Sequence, residues 1–180
     1  MNKSTGIVRR VDDLGRIVIP KEIRRIFKVR EGDPMEIFVS EEGILIKKYS
    51  PLAKLNDFAQ EYASSLFEST DHITLVTDLD TIIAVAGGAR REYLDKSIGN
   101  TVLNCMENRI SQLSNDCVEV EIKNDIKEYS SSYVISPIIL YGEPIGSVIM
   151  LNKDEKVKMG EMEVKMVETA ALFLAKQMED

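Results

Sequence analysis

The sequence predicts two domains of different class: a small, basic, mostly β unit over residues 1–50 and an acidic α+β domain over residues 56–178, joined by a linker and helix start at 51–55. Three observations carry this reading. Residues 3–30 hold Lys3, Arg9, Arg10, Arg16, Lys21, Arg24, Arg25, Lys28 and Arg30 against only Asp12, Asp13 and Glu22, a local +6 in a 180-residue chain whose formal total is -7, so the remainder carries -13. Short β-branched runs separated by turn residues fill the first unit. In the remainder, two seams of helical period bracket a series of strand-like runs.

The runs 7–11 and 16–19 flank Asp12-Asp13-Leu14-Gly15, where Gly15 can supply positive φ, so the pair reads as a β-hairpin. Pro20 suits the first turn of a helix because its missing N–H would be unpaired there in any case. Ile23, Ile26 and Phe27 then recur at helical spacing, which predicts a short helix over 20–27 with those three facing inward. Lys21 and Arg25, like Arg24 and Lys28, are four apart and form a basic stripe on the other side. Strands over 35–39 and 43–47, with Glu41-Glu42-Gly43 as their turn, complete a ββαββ unit.

A domain of this size buries only ~60% of the surface its unfolded chain exposes. The hairpin strands are apolar at both parities, Ile7 with Val8 and Ile17 with Val18 and Ile19, which calls for cover on two sides, most simply by a second copy of the unit. A whole-chain pI near 4.9 does not exclude nucleic acid, because phosphate neutralisation is decided within a Debye length of ~8 Å. A solvated face and the preference of cations for a helix C-terminus account for Arg24, Arg25 and Lys28, but not for Arg9, Arg10 and Arg16 in the hairpin. Clustered Lys and Arg without stacking aromatics suit double-stranded DNA better than single strands.

Residues 4–25, STGIVRRVDDLGRIVIPKEIRR, closely resemble the AbrB transition-state-regulator family. That resemblance implies a dimeric swapped-hairpin β-barrel that binds DNA, with the contacting arginines at Arg9, Arg16, Arg24 and Arg25, and Lys3 and Arg10 as secondary contacts. One departure is Phe27-Lys28, where the family often has Leu-Gly; without a glycine C-cap the helix is expected to end differently.

In the acidic remainder Pro51 can open a helix, and Leu52, Leu55, Ala59, Tyr62 and Leu66 follow at alternating steps of three and four. Val164, Val167, Ala171, Leu174 and Met178 repeat the pattern near the C-terminus. Each seam suits an amphipathic helix on its own domain or a bundle between chains; the bundle makes these ten residues the candidate oligomer interface. Strand-like runs fall at 72–78, 81–86, 118–123, 133–141 and 145–151, and short helical pieces at 91–95 and 101–109, predicting an antiparallel sheet with helices to one side.

Residues 132–150, SYVISPIILYGEPIGSVIM, resemble the paired strands of GAF domains. GAF domains are commonly small-molecule sensors, so the resemblance implies a regulatory domain with an unidentified effector. Asn152-Lys153 resembles the opening of a cyclic-nucleotide signature whose remainder is missing, and a surface turn is the simpler reading. Gly87-Gly88-Ala89-Arg90-Arg91 offers N–H groups and two guanidiniums to an anion, or is an ordinary strand-to-helix loop.

His72 is the sole histidine and Cys105 and Cys117 the only cysteines, too few for a usual zinc site. The thiols read as buried and free, and His72 as a strand-edge residue. No G-x-S-x-G, H-E-x-x-H or P-loop is present, so neither catalysis nor a cofactor is expected. No apolar run approaches the ~20 residues of a bilayer span, and no apolar signal core opens the chain, which gives a cytoplasmic expectation without membrane partners.

An AbrB-like unit and a GAF-like domain in one chain together resemble a family of sporulation transcription regulators. The resemblance implies an activator and repressor of forespore genes that assembles as a homotetramer, a dimer of dimers. Two other readings stay open: an AbrB-fold antitoxin, and a ligand-binding sensor whose basic unit only oligomerises.

Overall fold

A computed structural model describes residues 6–27, 29–40, 43–49 and 56–179. Lys3, Lys28, Leu52 and Leu55, the turn at 41–42 and the helix start at Pro51 lie outside them. The chain divides into two compact units, Met1–Tyr49 and Ser50–Asp180.

In the first unit α1 spans Lys21–Ile26, and β1 (Met35–Ser40) pairs antiparallel with β2 (Gly43–Lys48), Met35 opposite Lys48 and Ser40 opposite Gly43. Of the expected N-terminal hairpin, the turn is present among the described residues. Asp12 N donates to Arg16 O and Gly15 N to Asp12 O, both at 3.0 Å, with Gly15 at φ 75°. Among the described residues the flanking runs 7–11 and 16–19 form no strand. Helix α1 also starts one residue later than expected: Pro20 is the N-cap, at φ -58° and ψ 149°. It ends without a left-handed residue, Phe27 at φ -93° donating its N–H to Ile23 O.

The second unit is built on a five-stranded antiparallel sheet in the order β4 (Ile82–Ala86), β3 (Ile73–Thr77), β9 (Glu143–Asn152), β8 (Ser132–Leu140), β5 (Gln112–Ser114). A separate hairpin pairs β6 (Val118–Lys123) with β7 (Ile126–Ser130). The helices are α2 (Asn56–Thr70), α3 (Arg90–Tyr93), α4 (Asn100–Asn108) and α5 (Glu161–Lys176). Sheet positions Val76, Ala84, Val134, Val148 and Met150 meet α2 and α5. The alternate positions Leu75, Val85, Ile135, Ile149 and Leu151 meet α3, α4 and β6. Helices on one side only was therefore incorrect. The central strands are apolar at both parities, so both faces must be covered.

The two seams are also corrected. Ala59, Leu66, Val167, Ala171 and Leu174 are buried in their own domain, and Tyr62, Val164 and Met178 pack against the same core. The helical period was that of two helices lying on a sheet, not of a bundle between chains. Helix α5 is fixed at its start by Glu163, whose Oε2 accepts the Gly160 N–H at 2.6 Å. Cys105 is buried, which pushes its thiol up to about 11. Cys117 is exposed, so the expectation of two buried thiols fails for it. Among the described residues no helix is long and apolar enough to cross a membrane, and no acidic, His or Cys cluster could hold a metal ion.

Candidate nucleic-acid interface

The turn that links the two apolar runs is organised by one carboxylate. Asp12 Oδ1 accepts the N–H of Leu14 at 3.1 Å and of Arg16 at 2.7 Å, while Oδ2 takes the Arg16 Nε at 2.7 Å. The Arg16 N–H and then its guanidinium hold Asp12 below the usual 3.8. Arg16 thus leaves the turn in a set direction, although its side chain is still 69% exposed. Sequence reasoning treated Asp12 as a turn residue only; its position before Leu14-Gly15 was the available signal for an Asx-type bond network.

Arg9 and Arg10 lie on the run entering the turn, exposed, with Arg9 Nη1 donating to Val8 O at 3.2 Å. Arg24 and Arg25 are exposed in the last turn of α1. Arg9, Arg10, Arg24 and Arg25 form no ion pair with another described residue. The structure brings the arginines of the first run and Arg16 to the two sides of one turn and puts Arg24 and Arg25 on the helix that follows it.

The inward stripe of α1 is narrower than the spacing predicts. Ile23 is half-buried, but Ile26 and Phe27 are 70% and 66% exposed. An apolar groove of about 450 Å³ runs past the helix, lined by Ile19, Ile23, Phe27, Met35, Leu45 and Ile46. No described residue of this unit is buried. Lys47 and Lys48 also line this groove.

In the second unit, the glycine loop after β4 serves packing. Gly87 has φ +72°, and a Cβ there would sit 2.3 Å from the Phe67 ring. Arg90 Nη1 donates to Gln60 Oε1 at 3.0 Å, which favours the loop reading over an anion cradle. His72 is buried just before β3, with Nδ1 3.3 Å from Asn152 Nδ2.

Residues 54–179 match the family profile described as "Stage V sporulation protein T C-terminal, transcription factor". Stage V sporulation protein T of Bacillus subtilis (strain 168) is 52% identical over 178 residues, 98% of this chain and 99% of that protein. The chain belongs to the stage V sporulation protein T family. Its C-terminal part, residues 54–179, is therefore that of a transcription-factor family, and its N-terminal unit is AbrB-like. The transition state regulatory protein AbrB of Bacillus subtilis (strain 168) is 59% identical over 49 residues, 27% of this chain and 51% of that protein, so this chain spans only about half of it. Residues 8–54 also match the profile "Antidote-toxin recognition MazE, bacterial antitoxin".

For the second unit, the GAF domain from Acinetobacter phosphoenolpyruvate-protein phosphotransferase superposes with a TM-score of 0.59 at 14% identity, covering 69% of this chain and 82% of that one. At that identity the likeness concerns the fold, which is GAF-like, with an antiparallel sheet flanked by helices.

Proposed function

We propose that the chain binds double-stranded DNA through Arg9, Arg16, Arg24 and Arg25, assisted by Arg10 and Lys3, as a swapped N-terminal dimer that both activates and represses forespore genes. The observation that carries this is the coincidence, in one unit, of exposed arginines with exposed Val8, Val18, Ile37 and Val39. Side chains of this kind stay in water only until a partner covers them, and a second copy that exchanges hairpins would supply the missing ladder for 7–11 and 16–19.

Residues 56–178 act in this reading as the regulatory and oligomerisation domain, holding two N-terminal dimers in a tetramer and responding to a small-molecule effector. The outward faces of α2 and α5 support the second contact: Phe58, Met162, Leu172 and Phe173 are exposed, and Phe173 packs on Tyr62 with ring centroids 5.0 Å apart. Bivalence then raises affinity through effective concentration without new contacts. The protein works in the cytoplasm of the forespore and performs no catalysis.

The antitoxin reading draws on the N-terminal profile match. It is disfavoured by the folded second unit and by full-length similarity to a sporulation protein. The test uses duplexes selected from a random pool by the intact protein. Arg16→Ala with Arg24→Ala should abolish their binding while the oligomer survives; unchanged binding would refute the proposed surface.

A further inference from the structure

Most buried polar side chains of the second unit are serines and threonines with ordinary hydrogen bonds, such as Thr77 with Ser147 at 2.8 Å. One cluster is of another kind. The Glu128 side chain on β7 is 10% exposed; its Oε2 accepts the Tyr93 hydroxyl at 2.5 Å and lies 3.4 Å from Lys153 Nζ. Its Oε1 is buried with no hydrogen-bond partner, and Lys123 Nζ stands off at 3.6 Å. The Lys123 side chain is itself 9% exposed, with its ammonium 4.3 Å from the Tyr93 ring centre. Burial, reinforced by Glu128, raises the Tyr93 phenol and keeps it a proton donor.

The chain goes out of its way to bury this charge. A register shift between Val120 and Lys123 breaks the alternation of β6, so Ile122 and Lys123 are both buried although they are consecutive. A buried ion pair is seldom more stabilising than well-packed apolar residues of similar volume, and a lysine almost never lies so deep unless it is paired, as Lys123 is with Glu128 at 3.6 Å. Two ammonium groups and a phenol O–H converge on a single carboxylate, more donors than it uses. Lys153, 49% exposed, opens the cluster to solvent, while Lys123 forms its floor.

We propose that Lys123, Lys153 and Tyr93 form a carboxylate-binding cradle that the chain's own Glu128 fills, and that a small organic carboxylate takes the cradle by displacing Glu128. The proposal rests on the sensing role assigned above to this domain and names the chemistry of its effector. Glu128 is the template for that chemistry: one oxygen for the phenol and Lys153, the other toward Lys123. Tyr93 belongs to α3, Lys153 follows β9, and Lys123 and Glu128 both belong to the β6–β7 hairpin. Exchange of the occupant therefore changes how the hairpin is fastened to the body of the domain.

The test is a titration of the full chain with acetate at constant ionic strength, followed by the amide resonances of Tyr93, Lys123 and Lys153, with inorganic phosphate as the comparison anion. Wild type should show saturable shifts at these residues with acetate. Glu128→Gln, which removes the internal competitor but keeps the shape, should bind acetate roughly tenfold more tightly or better, because an occupied site lowers apparent affinity by its free fraction. Adding Lys123→Met should cancel that gain. No saturable shift in wild type, or phosphate binding at least as well as acetate, overturns the carboxylate cradle; the wild-type titration decides even where a variant fails to fold. Duplex binding measured in the same samples separates the two layers. Acetate binding at the cradle with unchanged DNA affinity supports the cradle and sinks the sensing role.

Discussion

Both units are rich in β-branched residues, yet they use them differently. In the acidic unit Leu75, Ile82, Val134, Ile149 and Leu174 are within 1% of complete burial, whereas in the basic unit Val8, Val18 and Val39 are 84%, 71% and 83% exposed. The difference lies in the number of elements available to close a core. The acidic unit has five strands in one sheet, with helices on one face and α3, α4 and a hairpin on the other. Among its described residues the basic unit has a two-stranded ribbon and a six-residue helix, below what an independent core requires. A second copy is the economical way to double both, and the same step would double the arginine surface.

The contrast can be attacked through salt. If each assembly neutralises ~6 to 10 phosphates, raising salt from about 50 to 200 mM should weaken duplex binding by roughly 10³ to 10⁵. Fluorescence anisotropy over that range measures it, and the acidic unit predicts no such dependence of its own. Removing Arg16 and Arg24 together should cost about 2 to 6 kcal/mol of DNA binding for each protomer engaged, at ~1 to 3 kcal/mol per contact. Next in size, Leu174→Ala should destabilise the acidic unit by about 2 to 5 kcal/mol in denaturant unfolding, independently of protein concentration.

Val18→Ala sharpens the comparison most. A site as exposed as Val18 in a single copy should cost under about 0.5 kcal/mol, but a site covered by a partner behaves as core and costs about 1 kcal/mol or more, with a midpoint that rises with protein concentration. The smallest effect concerns pH. Because Asp12 is held below its usual 3.8 in the folded turn, its contribution is fully present above that value and is lost as pH falls through the lower, folded one. The Arg16 amide resonance should therefore stay fixed from about pH 5 to 8 and move below about pH 4.

Much of this was legible in the residues. Periodicity located α2 and α5, and the runs 118–123 and 133–141 fell on β6 and β8. The Asp12-Gly15 turn and the basic stripe of Lys21, Arg24 and Arg25 also formed as spacing suggested. What escaped had physical causes. β5 is three residues long and β7 reads IKEYS, so neither carries an apolar pattern, and both exist because a neighbouring strand offers a ladder. The seams of Ala59 and Leu174 have the same period whether they face a sheet or another chain, and period alone does not choose. Asp12 as the residue that aims Arg16, and Lys123 turned inward by a bulge, depend on backbone geometry that no spacing rule encodes. The runs 7–11 and 16–19 are apolar at both parities in the sequence, yet neither forms a strand among the described residues.

The central claim is that the basic unit is completed by a second copy and that the acidic unit joins such pairs. Light scattering on the full-length chain and on residues 1–50 alone tests it most directly. The account predicts a tetramer for the full chain and a dimer for the fragment. A monomeric fragment would contradict the paired arginine surface, and equal stoichiometry for both would remove the joining role of the acidic unit.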